Sequence, residues 1–249
     1  MRVLAERPAG PPIELSVGPA TFVAGEATAV IRALTGGPSL PADLGRPPTV
    51  RTTMGLRRAH VLLSNAETFA RMALASRGVP GRSALASASG AVHEPGVVEL
   101  PESSTIADLA AAAGGVLDSP SFLITGGWHG RWVPWDGFTP GTELTRGALA
   151  QLGGRWGAGA FVWIPEDLPA WEALSGIAAE LAAGTAGQCG PCWRGLPAVA
   201  EKLALVADGT ATRSEIEHLM WQVDGRGICA HPSAAVAAIR SALDLIGEA

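Results

Sequence analysis

The chain is 249 residues long, 47% hydrophobic, and carries a formal net charge of −5. That length and apolar content allow two or three small cores, and an acidic balance with no basic run argues against nucleic acid as the main partner. No apolar run reaches membrane-spanning length and no charged-then-apolar leader opens the chain, which predicts a cytoplasmic protein without membrane insertion.

In chain order, helices are expected at about residues 26–34 and 66–75, and Arg77-Gly-Val-Pro-Gly-Arg82 reads as a linker. Strands are expected near residues 85–92, 97–100 and 121–125, with an Ala-rich helix over about 105–113 between the second and third. Gly153-Gly-Arg-Trp-Gly-Ala-Gly159 leads into the apolar run 161–164. A dinucleotide fingerprint must follow a strand and open a helix, so this segment reads as a tight backbone turn instead. Trp128 and Trp132 flank a segment suited to a hairpin turn and read as an aromatic cluster over a sheet, the alternative being a partner contact. His60, His93, His129 and His218 lack ligand spacing and read as structural or surface residues. The carboxylates Glu166-Asp167 and Glu215/Glu217 suit a turn and a helix cap, not acid–base chemistry.

The last third has a clear helical period. Leu174, Ile177 and Leu181 mark a first helix ended by Gly184, and Leu196, Val199, Leu203 and Val206 mark a second closed by Asp208-Gly209. Thr212 or Ser214 can cap a third, each having a Glu three residues on; its stripe is Ile216, Leu219, Met220 and Val223, with Gly225 past its end. Pro232-Ser233 opens a fourth, with Val236, Ile239, Leu243 and Ile246 on one face. Short connections favour an up-down-up-down bundle, which brings the first and third loops to the same end. Those loops hold all three cysteines, as Cys189-Gly190-Pro191-Cys192 and Cys229. Three cysteines make no disulfide framework, and a Cys-x2-Cys pair closed by a distant third is what thiolate ligation of a metal needs. The N-termini of the second and fourth helices would point positive dipole ends at such a site.

The stretch Gly184-Thr-Ala-Gly-Gln-Cys-Gly-Pro-Cys-Trp-Arg-Gly195 resembles the cluster-binding loop of the NADH-binding flavoprotein subunit of respiratory complex I. That loop reads Ser-Cys-Gly-x-Cys-x-Pro-Cys-Arg in the family and, with a distant fourth cysteine, holds a [4Fe–4S] cluster. The resemblance puts Cys189, Cys192 and Cys229 on the second, third and fourth ligand positions and Ala186 on the first. Three thiolates leave a [3Fe–4S] centre, a [4Fe–4S] centre with a non-cysteine ligand, or inert thiols. His231, two residues after Cys229, is the candidate fourth ligand, and a Cys3His set keeps zinc as a rival. Trp193, beside Cys192, either shields a cluster or belongs to the bundle core, and Gln188 with nearby backbone N–H groups would surround the centre.

Other segments carry the same resemblance. Val23-Ala-Gly-Glu-Ala-Thr-Ala29 is similar to the family's Cys-Gly-Glu-Glu-Thr-Ala segment, and Pro47-Pro48-Thr49 and Ser64-Asn-Ala-Glu-Thr68 to its Pro-rich loop and its Asn-Asn-Val-Glu-Thr segment near the flavin phosphate. Glu26, Asn65 and Thr68 are thereby candidate remnants of a flavin site, although Ala27 and Ser64 replace polar residues of the pattern. Ala88-Ser-Gly-Ala-Val92 and Glu94-Pro-Gly-Val-Val-Glu-Leu-Pro101 resemble the family's soluble-ligand-binding β-grasp (SLBB) domain. The implied fold class is α+β and multidomain: a partial α/β flavin-domain remnant over residues 1–80, a β-grasp domain over 83–167 and an iron–sulfur-binding four-helix bundle over 168–249.

The family's Gly-Arg-Gly-Gly-Ala-Gly-Phe-Pro loop, which wraps the flavin and admits NADH, has no counterpart in this sequence. The expectation is therefore that another chain supplies that half, that the gene is shortened, or that the reading frame starts further upstream. FMN would bind only where a partner completes the site. The implied function is an electron-transfer subunit of an NADH dehydrogenase-like oxidoreductase, not catalytic alone, working between a flavin/NADH-binding chain and a ferredoxin-like carrier or membrane cytochrome. The alternative is a non-redox docking protein that kept the fold and lost the cluster, with Ala186 as the mark of that loss.

Overall fold

The computed structural model describes residues 13–42, 49–51, 58–60, 62–79, 83–117 and 119–247. Pro47 and Pro48 of the Pro-rich segment, and residues 80–82 of the expected linker, lie outside them. The chain divides into two compact units, Met1–Ala42 with Pro47–Val61, and Asp43–Arg46 with Leu62–Ala249.

In the first unit, helix α1 (Ala27–Leu34) starts at Glu26, whose carboxylate accepts the N–H groups of Thr28 and Ala29 at 2.9 and 3.0 Å. An acidic N-cap satisfies orphan donors and meets the positive end of the helix dipole. Arg32 donates to the carbonyls of Leu40 and Pro41, folding the following segment back along the helix. Strands β1 (Thr49–Arg51) and β2 (Arg58–His60) pair antiparallel, with Thr49 opposite His60.

The second unit opens with α2 (Ala66–Ser76), capped by Asn65, whose Oδ1 accepts the Thr68 N–H at 2.8 Å. Glu67 ties this helix to the sheet by accepting from the Leu85 N–H at 3.1 Å and from Arg71 at 2.8 Å. The sheet comprises β3 (Ser83–Gly90), β4 (Gly96–Pro101), β5 (Phe122–Thr125), β6 (Arg131–Pro134) and β7 (Ala160–Ile164) in the order β4-β3-β7-β5-β6. Two antiparallel hairpins, β3–β4 and β5–β6, are joined by β7, which runs parallel to β3 and antiparallel to β5. Helix α3 (Ile106–Ala112) crosses one face, begun by a full capping box between Thr105 and Asp108. That connectivity is the β-grasp arrangement.

Side-chain alternation gives the sheet two buried faces. Leu123, Val133, Phe161 and Trp163 turn toward α3 with Ile106 and Leu109, while Ile124, Trp132 and Ile164 turn toward the C-terminal helices. The glycine run before β7 is a tight turn: Gly153, Gly157 and Gly159 all have positive φ, and a Cβ on Gly157 would fall 2.4 Å from the Gly126 carbonyl oxygen. Only glycine permits that approach. Helix α4 (Arg146–Gln151), begun by Thr145, precedes it.

Helices α5 (Ala170–Ala183), α6 (Leu196–Ala207), α7 (Arg213–Val223) and α8 (His231–Ile246) form the bundle. Leu174, Ile177, Leu181, Val199, Leu203, Ile216, Met220, Val236 and Ile239 make one core with the sheet residues Ile124, Trp132 and Ile164. Thr212, not Ser214, caps α7, bonding reciprocally with Glu215. Helix α8 begins one residue earlier than the sequence suggests, at His231, with Pro232 in its first turn where a missing N–H costs nothing. Among the described residues no helix is long and apolar enough to cross a membrane.

Candidate metal centre

The α5–α6 and α7–α8 connections meet at one end of the bundle and bring the cysteines together. Cys189 ends the first connection, and Cys192 lies in a single π-helical turn, Pro191–Gly195, that runs directly into α6. The turn is anchored by the Trp193 N–H donating to the Cys189 carbonyl at 2.9 Å. Wide turns of this kind recur at functional sites because they re-aim a side chain without ending the helix. Cys229 precedes α8 by two residues, in a connection shaped by Gly227, where a Cβ would meet Pro232 Cγ at 2.8 Å and the Cys229 carbonyl oxygen at 2.9 Å.

All three thiols are free of disulfides. The Cys189 and Cys192 thiols hydrogen-bond to each other, and Cys229 is close enough to act on Cys192 electrostatically. The backbone N–H groups of Ile228 and Cys192 are directed at the Cys189 sulfur, and that of Ala186 at the Cys192 sulfur. Burial, then the bond with Cys189 and the charges of Cys189 and Cys229, pushes the Cys192 thiol up to about 12, against the pull of the Ala186 N–H. Burial also opposes ionisation of Cys189, but the two N–H donors and the Cys192 thiol outweigh it and hold Cys189 below the ordinary thiol value. Without a cation Cys189 therefore gives up its proton more readily than Cys192, and a bound metal has to displace the protons the thiols hold.

This donor set fits an iron–sulfur cluster. The Cys189 and Cys192 sulfurs face each other with Cys229 near enough to act on Cys192, N–H donors are already aimed at two of the sulfurs, and the first turns of α6 and α8 lie next to the cysteines. Among the described residues, no group of three or more His, Cys, Asp or Glu side chains is placed so that it could hold a metal ion as the side chains stand.

His231 is buried, and its ring is fully engaged. Its Nε2 lies 2.9 Å from the Leu181 carbonyl oxygen and its Nδ1 lies 2.9 Å from His129 Nε2. A carbonyl only accepts, so Nε2 carries the proton and Nδ1 accepts from His129. In this arrangement neither nitrogen offers a lone pair to a metal. Burial, then the charges of His231 and Arg155, lowers His129 to about 4; burial likewise lowers His231, against the Leu181 carbonyl. Nothing in the sequence signals this pair, because the two histidines are distant in the chain and only the packing of the β5–β6 turn on α8 joins them.

The flavin-site candidates fall on both units. Asn65, the cap of α2, and Thr68, in its first turn, line a cavity of about 590 Å³ together with Glu67, Arg71, Glu102 and Arg146. Glu26 belongs to the other unit and serves as the cap of α1. Trp193 is 68% exposed and so lies outside the bundle core, with the Arg194 guanidinium 5.1 Å from its ring centroid. Trp132 is buried and packs on Phe122 at 5.6 Å over the sheet, whereas Trp128, expected in the same aromatic cluster, is 38% exposed.

Comparison with known proteins bears on the same region. Residues 172–248 match the family model of the NADH-ubiquinone oxidoreductase-F iron-sulfur binding region. The chain is 25% identical to the F-type subunit of NADH-quinone oxidoreductase from Salmonella typhimurium over 250 aligned residues and equally to that of Escherichia coli over 249, with 93% of this chain and 55% of each relative covered. It thus spans about half the length of the curated relatives it matches, and it resembles their C-terminal part. In fold it is similar to a chain of an NAD+-reducing [NiFe]-hydrogenase: TM-score 0.74 and 21% identity in the H2-reduced state, 0.72 and 21% in the air-oxidized state. These matches cover 91% and 90% of this chain and 40% of the hydrogenase chain.

Proposed function

We propose that this chain is an electron-transfer subunit of an NADH dehydrogenase-like oxidoreductase, holding an iron–sulfur cluster on Cys189, Cys192 and Cys229 and relying on another chain for NADH and flavin. The observation that carries the reading is the meeting of three thiols outside any disulfide, with N–H donors aimed at two of them, at one end of a bundle matching an iron–sulfur binding region. When bound, such a cluster supplies one-electron transfer. The chain's own part is to ligate through three thiolates, to release their protons, and to offset the resulting negative charge. The N–H groups of Ile228, Cys192 and Ala186 and the first turns of α6 and α8 do the last of these.

Ala186 has no thiol to offer, which leaves a [3Fe–4S] centre or a [4Fe–4S] centre with an outside ligand. The donor is a flavin/NADH-binding chain and the acceptor a ferredoxin-like carrier or membrane cytochrome, in a cytoplasmic setting. Asn65 and Thr68 contribute to an FMN site only where a partner completes it. The same Ala186 favours the second reading, a docking protein that has lost the cluster; zinc on the three thiols is the third.

Anaerobic purification followed by iron, sulfide and zinc analysis of the wild type and Cys229→Ala tests these readings. Iron with matching sulfide in the wild type, lost in the variant, is the expected result. Zinc alone makes the bundle a structural metal site, and no metal in either protein leaves the docking reading.

A further inference from the structure

Beside the cysteine loop, the surface changes character. A groove of about 340 Å³ runs between the start of α6 and the end of α7, lined by Gly190, Pro191, Gly195, Leu219 and Val223 and edged by Arg194 and Arg226. Its floor is a close helix contact: a Cβ on Gly195 would meet Val223 Cγ2 at 2.5 Å. Each edging arginine leans on an exposed tryptophan, Arg194 on Trp193 and Arg226 on Trp221 at 4.7 Å. Those tryptophans are 68% and 64% exposed, and Ile228, next to Cys229, is 37% exposed. Among the described residues neither arginine makes an ion pair, and no carboxylate lines the groove.

We infer that this groove is the docking surface for an acidic electron-carrier protein, which seats its negatively charged face on Arg194 and Arg226 between Trp193 and Trp221. The inference rests on the electron-transfer reading for its purpose but on the surface itself for its location. Exposed large aromatics are costly to leave in water, and tryptophan and arginine are among the side chains enriched where binding energy concentrates. Stacked on tryptophan, each arginine is held in place and loses less freedom when a carboxylate arrives. The chain as a whole is acidic, at −5, so a locally cationic groove marks where an acidic partner is accepted and leaves the rest of the surface to repel it. Gly190 and Pro191 line the groove and lie between Cys189 and Cys192, so a carrier seated there approaches the proposed cluster directly.

The test uses the full chain, with a plant-type [2Fe–2S] ferredoxin as the acidic probe and a basic cytochrome c as its counterpart. Binding is measured at low and high salt for the wild type, Trp221→Ala and Arg226→Glu, both outside the Cys-x2-Cys loop, with iron content and circular dichroism recorded for each. The expected result is salt-sensitive binding of the ferredoxin, weakened about tenfold or more in each variant with iron content and fold unchanged, and no comparable binding of the cytochrome. Ferredoxin binding that the variants leave intact, absence of ferredoxin binding, or equal binding of cytochrome c overturns the inference. So does self-association of the wild type that Trp221→Ala abolishes, since the groove then receives a second copy. Iron content distinguishes the two failures: a wild type without iron sinks the cluster reading, whatever the ferredoxin does.

Discussion

His129 Nε2 lies 2.9 Å from His231 Nδ1, and this bond ties the turn between β5 and β6 to the first turn of the helix that follows Cys229. The far side of the His231 ring is held by the Leu181 carbonyl near the end of α5. One imidazole pair therefore fastens the sheet, the first bundle helix and the last bundle helix together at the cysteine end.

That fastening depends on both rings being neutral. In the unfolded chain His129 titrates near its ordinary value of 6.5; folded, it is lowered to about 4, mainly by burial. Below pH 6.5 the unfolded state takes up a proton that the folded state refuses, so stability falls as pH drops from about 6.5 toward 4 and is fully present above that window. Thermal unfolding at successive pH values should show this decline in the wild type and a shallower one in His129→Gln, which also melts lower at pH 7.5. Parallel curves for the two proteins would mean that other groups govern the acid limb.

Gly195 and Val223 set how closely α6 approaches α7. Since a Cβ on Gly195 would fall 2.5 Å from Val223 Cγ2, and Val223 is buried, Gly195→Ala is expected to cost about 1–3 kcal/mol. Denaturant unfolding of Gly195→Ala, Val223→Ala and the double variant checks it: trimming Val223 makes room, so the two losses should sum to more than the double variant shows. Strict additivity would show that the contact is relieved by movement elsewhere.

Thr212 and Ser214 both stand three residues before a glutamate, but only Thr212 makes the reciprocal bonds, accepting from the Glu215 N–H and donating its own N–H to the Glu215 carboxylate. Thr212→Ala should cost about 1 kcal/mol, whereas Ser214→Ala, inside the first turn, should change stability by only a few tenths. Paired denaturation curves decide between the two caps.

The bundle is legible in the sequence because each helix buries one stripe at a period the residues display: Leu174, Ile177 and Leu181, or Val236, Ile239 and Leu243, are separated as a helical face requires. The meeting of the cysteines follows from loop lengths alone. Strand β6 is harder to read, since it is four residues long, ends in Pro134 and is buried on both faces, which erases alternation. The engagement of His231 is invisible for a different reason. Proximity to Cys229 in sequence suggests a ligand, while the partners that occupy its nitrogens come from Leu181 and His129, residues that only tertiary packing delivers. Sequence leaves Trp193 undecided between core and surface, because the π-turn that rotates it outward has no signature in residue spacing.

Ala186 stands where the resembling family has its first cluster ligand, and its N–H is bonded to the Cys192 sulfur. Position 186 is therefore already within reach of the thiol group, and the adjoining Gly187, with φ of +65°, gives the loop its turn without any side chain in the way. Introducing a thiol there should complete a four-cysteine set. Ala186→Cys, purified anaerobically, is expected to retain about four irons per chain and to lose them more slowly in air than the wild type, because every iron then has a protein ligand. Iron and sulfide analysis with the decay of visible absorption follows both properties. Unchanged iron content and decay would mean that residue 186 faces away from the cluster, and that the wild-type centre, if trinuclear or ligated from outside, owes its form to the loop's backbone path and not to the missing sulfur.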